Sequence, residues 1–161
     1  MNRVLNDSSD QQLTRAFVEK FGYPPGKKDE LYRAGKRAGR FIQDLQAVEK
    51  QWFTNPEFDK DQFAEKMQMS KSTLQRKMRT ITGLTPLQYI RSVQYATAFD
   101  LLSNSRMNIK GIAHTIGFSD PKYFSRCFRV DFGVTPHEYR TLIRQQKKLT
   151  PRETSRIYFF K

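Results

Sequence analysis

Cysteine is almost missing from this chain. Cys127 is the only one, so no internal disulfide can form, and no other Cys or His stands at metal-ligand spacing from it. Three residues after Phe124, it reads as a small core residue. His114 and His137 are far apart and lack a companion carboxylate pattern, so they read as solvated helix positions and zinc fingers are removed. No apolar run approaches a membrane-spanning length and the amino terminus has no hydrophobic signal core, so a soluble, cytoplasmic protein with no membrane partner is expected. Gly-rich phosphate loops, paired-carboxylate clefts and Ser-His-Asp sets are missing as well. Ser119-Asp120-Pro121-Lys122 does match Ser-x-x-Lys, but the companion Ser-Asp-Asn and Lys-Thr-Gly are not there, and a helix cap followed by an outward lysine explains it better. Neither an enzyme nor a cofactor is expected. Acidic residues are scarce too, 16 Asp and Glu against 29 Lys and Arg, for a formal charge of +13. That balance favours a polyanionic partner through counterion release, nucleic acid first and an anionic membrane surface second. With 161 residues there is room for one domain of about 100 residues plus arms, and not for a long catalytic barrel.

What is present is a repeat. Residues 63–89 reappear, class by class, at 112–139. Phe63/Ile112, Ala64/Ala113, Met67/Ile116, Met69/Phe118 and Ser70/Ser119 match at an offset of 49, and after one extra residue Leu74/Phe124, Arg76/Arg126, Met78/Phe128, Arg79/Arg129, Gly83/Gly133, Thr85/Thr135, Pro86/Pro136 and Tyr89/Tyr139 match at 50. Each copy reads as a helix-turn-helix.

The predicted fold is all-α: two helix-turn-helix subdomains bridged by a long helix, about seven helices, with a short helical amino-terminal arm. The arm or linker is 1–40, the DNA-binding domain 41–146 and the tail 147–161. Within the domain, helix-turn-helix one spans about 59–82, the bridging helix about 86–103 and helix-turn-helix two about 109–132. In the arm, Leu13, Phe17 and Phe21 recur every fourth residue, predicting a short amphipathic helix that stops at Gly22 and Pro24-Pro25-Gly26. From Asp29, a candidate N-cap, Leu31, Ala34, Ala38, Phe41, Leu45, Val48 and Trp52 form a heptad-like seam. Its second half, with Ile42, reads as the first helix of the domain. The first half has two readings: a dimerising or signal-carrying helix, giving a homodimer through 31–52, or a basic arm in which Arg33, Lys36, Arg37 and Arg40 touch phosphates. Gly35 and Gly39 each cost that half about 1 kcal/mol of helix propensity. Supporting helix Asp59 to Met67 leads to Ser70 as N-cap, Thr85-Pro86 opens the bridge, Ser119 is expected to cap the second recognition helix, and a closing helix starts at Pro136. The tail carries the apolar cluster Ile157-Tyr158-Phe159-Phe160.

Each recognition helix sorts onto two faces. Leu74, Met78 and Ile81 point one way in the first, and Phe124, Cys127 and Phe128 in the second, while Ser72, Arg76, Arg79 and Lys122, Arg126, Arg129 lie opposite, in register. Arg bonds guanine bidentately in the major groove and Gln does so for adenine, each discriminating by about 1–3 kcal/mol. The base-reading candidates are therefore Gln75 and Arg76 on one helix and Lys122 and Arg126 on the other. Ser72, Thr73, Pro121 and Tyr123 join them as short or apolar groups near the helix amino ends. Lys71, Arg79, Arg91 and Arg129 are assigned to phosphates. The stretch from Pro86 to Ser103 spans roughly 27 Å at the helical rise, near the ~34 Å between successive major grooves on one face of B-DNA. Double-stranded DNA is thus the expected partner.

The stretches AEKMQMSKSTLQRKMRTITGLTPLQYIR and NIKGIAHTIGFSDPKYFSRCFRVDFGVTPHEYR resemble the DNA-binding domain of AraC-type (AraC/XylS) bacterial transcription regulators, over roughly 41 to 145. Ile112-Ala113, Gly117-Phe118, Tyr123-Phe124, Phe128, Phe132-Gly133, Thr135-Pro136 and Tyr139-Arg140 carry it. The resemblance implies seven helices, base contacts at Ser72, Gln75, Arg76, Pro121, Lys122, Tyr123 and Arg126, and activation of transcription through RNA polymerase in a nucleoid-associated protein. In one departure Gln68 stands where the first turn usually has glycine, so a non-glycine residue is expected to adopt positive φ there. In another, sensory domains often precede such readers, yet about 40 residues do so here; the chain is expected to be a stand-alone reader or the output end of a larger sensor or two-component regulator. A rival reading is a basic helical interaction module with only nonspecific DNA binding. RNA is disfavoured, because the aromatics fall on core faces and no sheet is predicted.

Overall fold

The computed structural model describes residues 13, 15–23 and 38–147, and among them every regular element is a helix and none a strand. We number them α1 (15–21), α2 (Gly39–Trp52), α3 (Lys60–Lys66), α4 (Lys71–Thr82), α5 (Pro86–Asn104), α6 (Ile109–Thr115), α7 (Pro121–Phe132) and α8 (Pro136–Lys147). The first half of the Leu31 to Trp52 seam, its Asp29 cap and the apolar cluster near the carboxyl end lie outside the described residues. No described helix is long and apolar enough to cross a membrane.

Capping chemistry sets the helix starts twice over. The Asp59 side chain accepts from Asp61 N and Gln62 N to open α3, and Asn108 accepts from Gly111 N to open α6. Thr85 and Gln88 exchange side-chain and backbone hydrogen bonds at the start of α5, and Thr135 and Glu138 do the same at α8. Pro86 follows Thr85, where a missing N–H is harmless. α4 and α7 are capped by Ser70 and Asp120, whose side chains accept from Thr73 N and Lys122 N. The second cap is thus Asp120 and not Ser119. The extra residue of the second copy enters one position earlier than the sequence match placed it, so Ser70 corresponds to Asp120 and Ser119 to no residue of the first copy. Aspartate caps as well as serine does, which is why residue class misled the alignment.

The two turns share a backbone shape. In the first, Gln68 N and Met69 N donate to Glu65 O and Ala64 O; in the second, Gly117 N and Phe118 N donate to His114 O and Ala113 O. Gln68 has φ 54° and Gly117 φ 93°, so the glutamine does take the left-handed conformation expected from the sequence. The second turn has a further constraint. A Cβ on Gly117 would lie 2.7 Å from the carbonyl oxygen of Phe53 and 3.0 Å from Gln94 Nε2. The loop after α2 thus presses on the second turn, and Gln94 Nε2 donates to that same Phe53 oxygen.

α5 is the axis of the molecule. Tyr89, Ile90, Ser92, Gln94, Tyr95, Ala98, Phe99 and Leu102 are all buried, around all of its circumference except the stripe of Thr97, Asp100 and Asn104. Phe41, Leu45 and Val48 of α2 join the same core, so this half of the seam packs within the chain. The Arg140 side chain, from α8, donates through Nε to Leu102 O and brings a cation to the carboxyl end of α5. Burial lowers the pKa of that guanidinium below the ordinary arginine value. Cys127 is half-buried at the rim and not in the core, because the next residue along α7, Phe128, takes the inward position instead.

α1 forms where the Leu13, Phe17, Phe21 spacing places it, and it is not a free arm. All three residues and Tyr23 are buried. The Phe17 ring stacks 6.1 Å from Phe132 and meets Phe99 edge-on at 6.0 Å, and Phe21 lies 6.1 Å from Tyr95. Lys20 Nζ pairs with Asp131 Oδ1 at 2.6 Å, and Tyr23 donates to Ser92 Oγ at 2.8 Å.

Replacing Gly117 by Ala is expected to cost about 2–4 kcal/mol, from left-handed strain plus forced movement of Phe53, whereas Gln68→Gly gains about 0.5–1 kcal/mol; urea midpoints at constant slope measure both. The Tyr95 phenol is held well above the ordinary tyrosine range, first by burial and then by its hydrogen bond to Asp131. A raised folded pKa gives stability that is complete below the unfolded value near 10 and lost above it, at about 1.4 kcal/mol per pH unit. Thermal melts from pH 9 to 11 should therefore fall less steeply for Tyr95→Phe than for the parent.

Candidate nucleic-acid interface

α4 and α7 are both 12 residues long, begin 50 residues apart and present the same division of faces. Leu74, Met78 and Thr82 are buried in one, and Phe124, Phe128 and Phe132 in the other. Ser72, Gln75, Arg76 and Arg79 are exposed on α4, as are Lys122, Tyr123, Arg126 and Arg129 on α7, while Thr73 and Pro121 are half-buried at the helix starts. Ile81, expected on the inner face, is half-buried against the core.

The outward faces are almost free of negative charge. α4 carries Lys71, Arg76, Lys77 and Arg79 and no acidic residue. Asp131 is the one acid of α7, and it is turned inward, accepting from Tyr95 OH at 2.7 Å and from Lys20. Lys71 Nζ stands 2.7 Å from Asp61 Oδ2, but both side chains are well exposed, so water screens the pair and a phosphate can displace the carboxylate at little cost.

On α7 an aromatic column supports the cations. Phe118 and Tyr123 are 6.1 Å apart, and the Arg126 guanidinium sits 5.4 Å from the Tyr123 ring centre. Stacking of this kind limits the rotamers an arginine must give up on binding. Arg91, expected at a phosphate, is placed beneath this column: its guanidinium lies 4.2 Å from Phe118 and 5.8 Å from Tyr123, and Nη1 donates to Gln94. It is half-buried between α5 and the second turn, off both outward faces.

Val130 is a residue of the outward face that the sequence does not single out. It lies four residues after Arg126 on the same face and is 79% exposed, too open to be a core residue. Its helical phase, in register with Thr80 of α4, was the available signal; its apolar character concealed it. His114 and His137 are exposed, and no group of three His, Cys, Asp or Glu that could hold a metal occurs among the described residues.

Comparison with known proteins gives the pair of heads a lineage. A helix-turn-helix domain model matches residues 63–142. Over 111 residues, 69% of this chain, the sequence is 32% identical to Histidine kinase P4 of Formosa agariphila, of which it covers 8%. It is 36% identical over 92 residues, 55% of the chain, to the HTH-type transcriptional activator RhaS of Mannheimia succiniciproducens, covering 34% of that protein. The chain thus spans about a third or less of these relatives' length. The crystal structure of the DNA-binding domain of AdpA, a global transcriptional factor in complex with target DNA, superposes with a TM-score of 0.61 at 26% identity, over 68% of this chain and 96% of that one. With two capped helix-turn-helix units joined by α5 and the domain match running across both, the chain belongs to the AraC-type helix-turn-helix family.

Proposed function

We propose that the chain is a sequence-specific DNA-binding transcription regulator, an activator, that reads two successive major grooves with α4 and α7. The observation that carries this is the pair of basic, acid-free outward faces in register on two capped helices of equal length. A solvated charged face on one helix needs no explanation; the same face twice, at fixed positions from the cap, does. Gln75 and Arg76 read bases from the first head, and Lys122 and Arg126 from the second, by bidentate or charge-assisted bonds to base edges. Ser72, Thr73, Pro121 and Tyr123, around the helix amino ends, make the short-range contacts. Lys71, Arg79 and Arg129 hold phosphates, and Arg91 acts from beneath, keeping Phe118 and Tyr123 in place. Contact with RNA polymerase and residence with the nucleoid in the cytoplasm complete the proposal; catalysis forms no part of it.

A second reading has a specific observation behind it, the match to Histidine kinase P4: the same two heads would serve as the DNA-binding output of a larger sensor. Both readings give α4 and α7 the same task.

In vitro selection of the chain against random duplex DNA at near-physiological salt is expected to enrich two short motifs about one helical turn apart. Against the selected duplex, Arg76→Ala and Arg126→Ala should each lose about 1–3 kcal/mol and relax preference in one motif only, while Lys71→Ala should weaken all sequences alike and reduce the salt slope by about one. Equal losses on every sequence for the two arginine variants would leave only a nonspecific basic module.

A further inference from the structure

The repeat accounts for α3 to α5 and α6 to α8 as two matched sets, and α1 belongs to neither. It is nevertheless seated, with Phe17 fully buried. Its partners lie on one side of the molecule: Ser92, Tyr95 and Phe99 on the α5 surface that supports the second head, and Asp131 and Phe132 in the last turn of α7. Fifty positions earlier, the first head has Ile81 and Thr82 in place of Asp131 and Phe132, so it offers neither a carboxylate nor a ring to such a helix. The one-sidedness is therefore written into the sequence of the two recognition helices.

Asp131 is the junction. One of its oxygens accepts from Lys20 Nζ at 2.6 Å and the other from Tyr95 OH at 2.7 Å, so α1, α5 and α7 meet at a single carboxylate. An acid in the last turn of a helix opposes the helix dipole, and the lysine of α1 adds to Arg129 of that turn a positive charge that pairs with the acid directly. The Phe17 ring, flat against Phe132 and edge-on to Phe99, fills the space between α7 and α5. Arg126 stands in the turn of α7 just before that anchored end and Arg129 within it.

We propose that α1 is the positioning element of the second head alone, with Phe17, Lys20 and Asp131 as positioning residues that fix the pitch of α7 on α5 and so the aim of Lys122 and Arg126. The inference rests on the proposed reading of α7 as a DNA-reading helix. It makes base discrimination in one half of the site depend on α1, while the half read by α4 does not.

The test uses the full chain carrying Phe17→Ala, Lys20→Ala or Lys20→Arg. Each is titrated against the selected duplex and against duplexes altered one base pair at a time in each half, the halves being assigned by Arg76→Ala and Arg126→Ala. Phe17→Ala should lower discrimination about tenfold and Lys20→Ala about threefold in the Arg126 half, with the Arg76 half unchanged and Lys20→Arg close to the parent. Amide hydrogen exchange without DNA should quicken more in α7 than in α4, the part common to both reporting any loss of overall stability. Losses equal in both halves, exchange rising alike in α4 and α7, or no change in either would overturn the proposal. Should Phe17→Ala fail to fold, Lys20→Ala carries the test, since it removes a part-exposed side chain. If the parent chain enriches no motif, the reader proposal fails on that ground, and the exchange result still decides whether α1 holds α7.

Discussion

Both heads pack on α5, which is buried on all but one narrow stripe, where Thr97, Asp100 and Asn104 face solvent. The polar groups on its buried sides need partners within the protein, and those partners tie different segments to it. Tyr89 OH donates to Glu49 of α2, Ser92 Oγ accepts from Tyr23, Gln94 reaches the Phe53 carbonyl after α2, and Tyr95 OH reaches Asp131 of α7. Ser103 and Tyr139 of α8 are within hydrogen-bond distance at its far end. The apolar surface of α5 supplies the drive to assemble, and these bonds select one arrangement, since an unmade buried bond costs about 1–3 kcal/mol.

The same arrangement separates charge. Asp131 is taken up inside the protein by Tyr95 and Lys20, which leaves the outer face of α7 to Lys122, Arg126 and Arg129. Arg91 works in the opposite sense, a cation withdrawn onto Phe118 to support Tyr123 and, through it, Arg126. Two charged residues that a count of composition treats alike with their neighbours thus serve packing. The face that remains is more uniformly basic than the net charge alone suggests.

Most of the helical frame was legible because it depends on local rules. The repeat, the cap Ser70, the opening of α5 at Thr85-Pro86, Leu74, Met78, Phe124 and Phe128 on the inner faces, and the positive φ of Gln68 all follow from residue type at fixed spacing. What escaped depends on contacts between distant segments. The Leu13, Phe17, Phe21 spacing announces a helix and says nothing of Phe132, more than a hundred residues away. Gly117 reads as a turn glycine, and its second reason, the Phe53 carbonyl at 2.7 Å from where a Cβ would stand, exists only once α2 is in place. Arg91 reads in the sequence as one more cation, and its place over the Phe118 ring exists only once α5 meets the second turn. The Ser119 cap was misjudged because Asp120 beside it caps equally well.

α5 closes the first helix-turn-helix and opens the second, so each head lacks a wall without the other. Melting either one would strip the buried face of the shared helix and expose the rings that the remaining head packs against. The two units are therefore parts of one cooperative folding body. The repeat that looks modular in sequence has no point at which the chain could be cut to give two independent half-proteins.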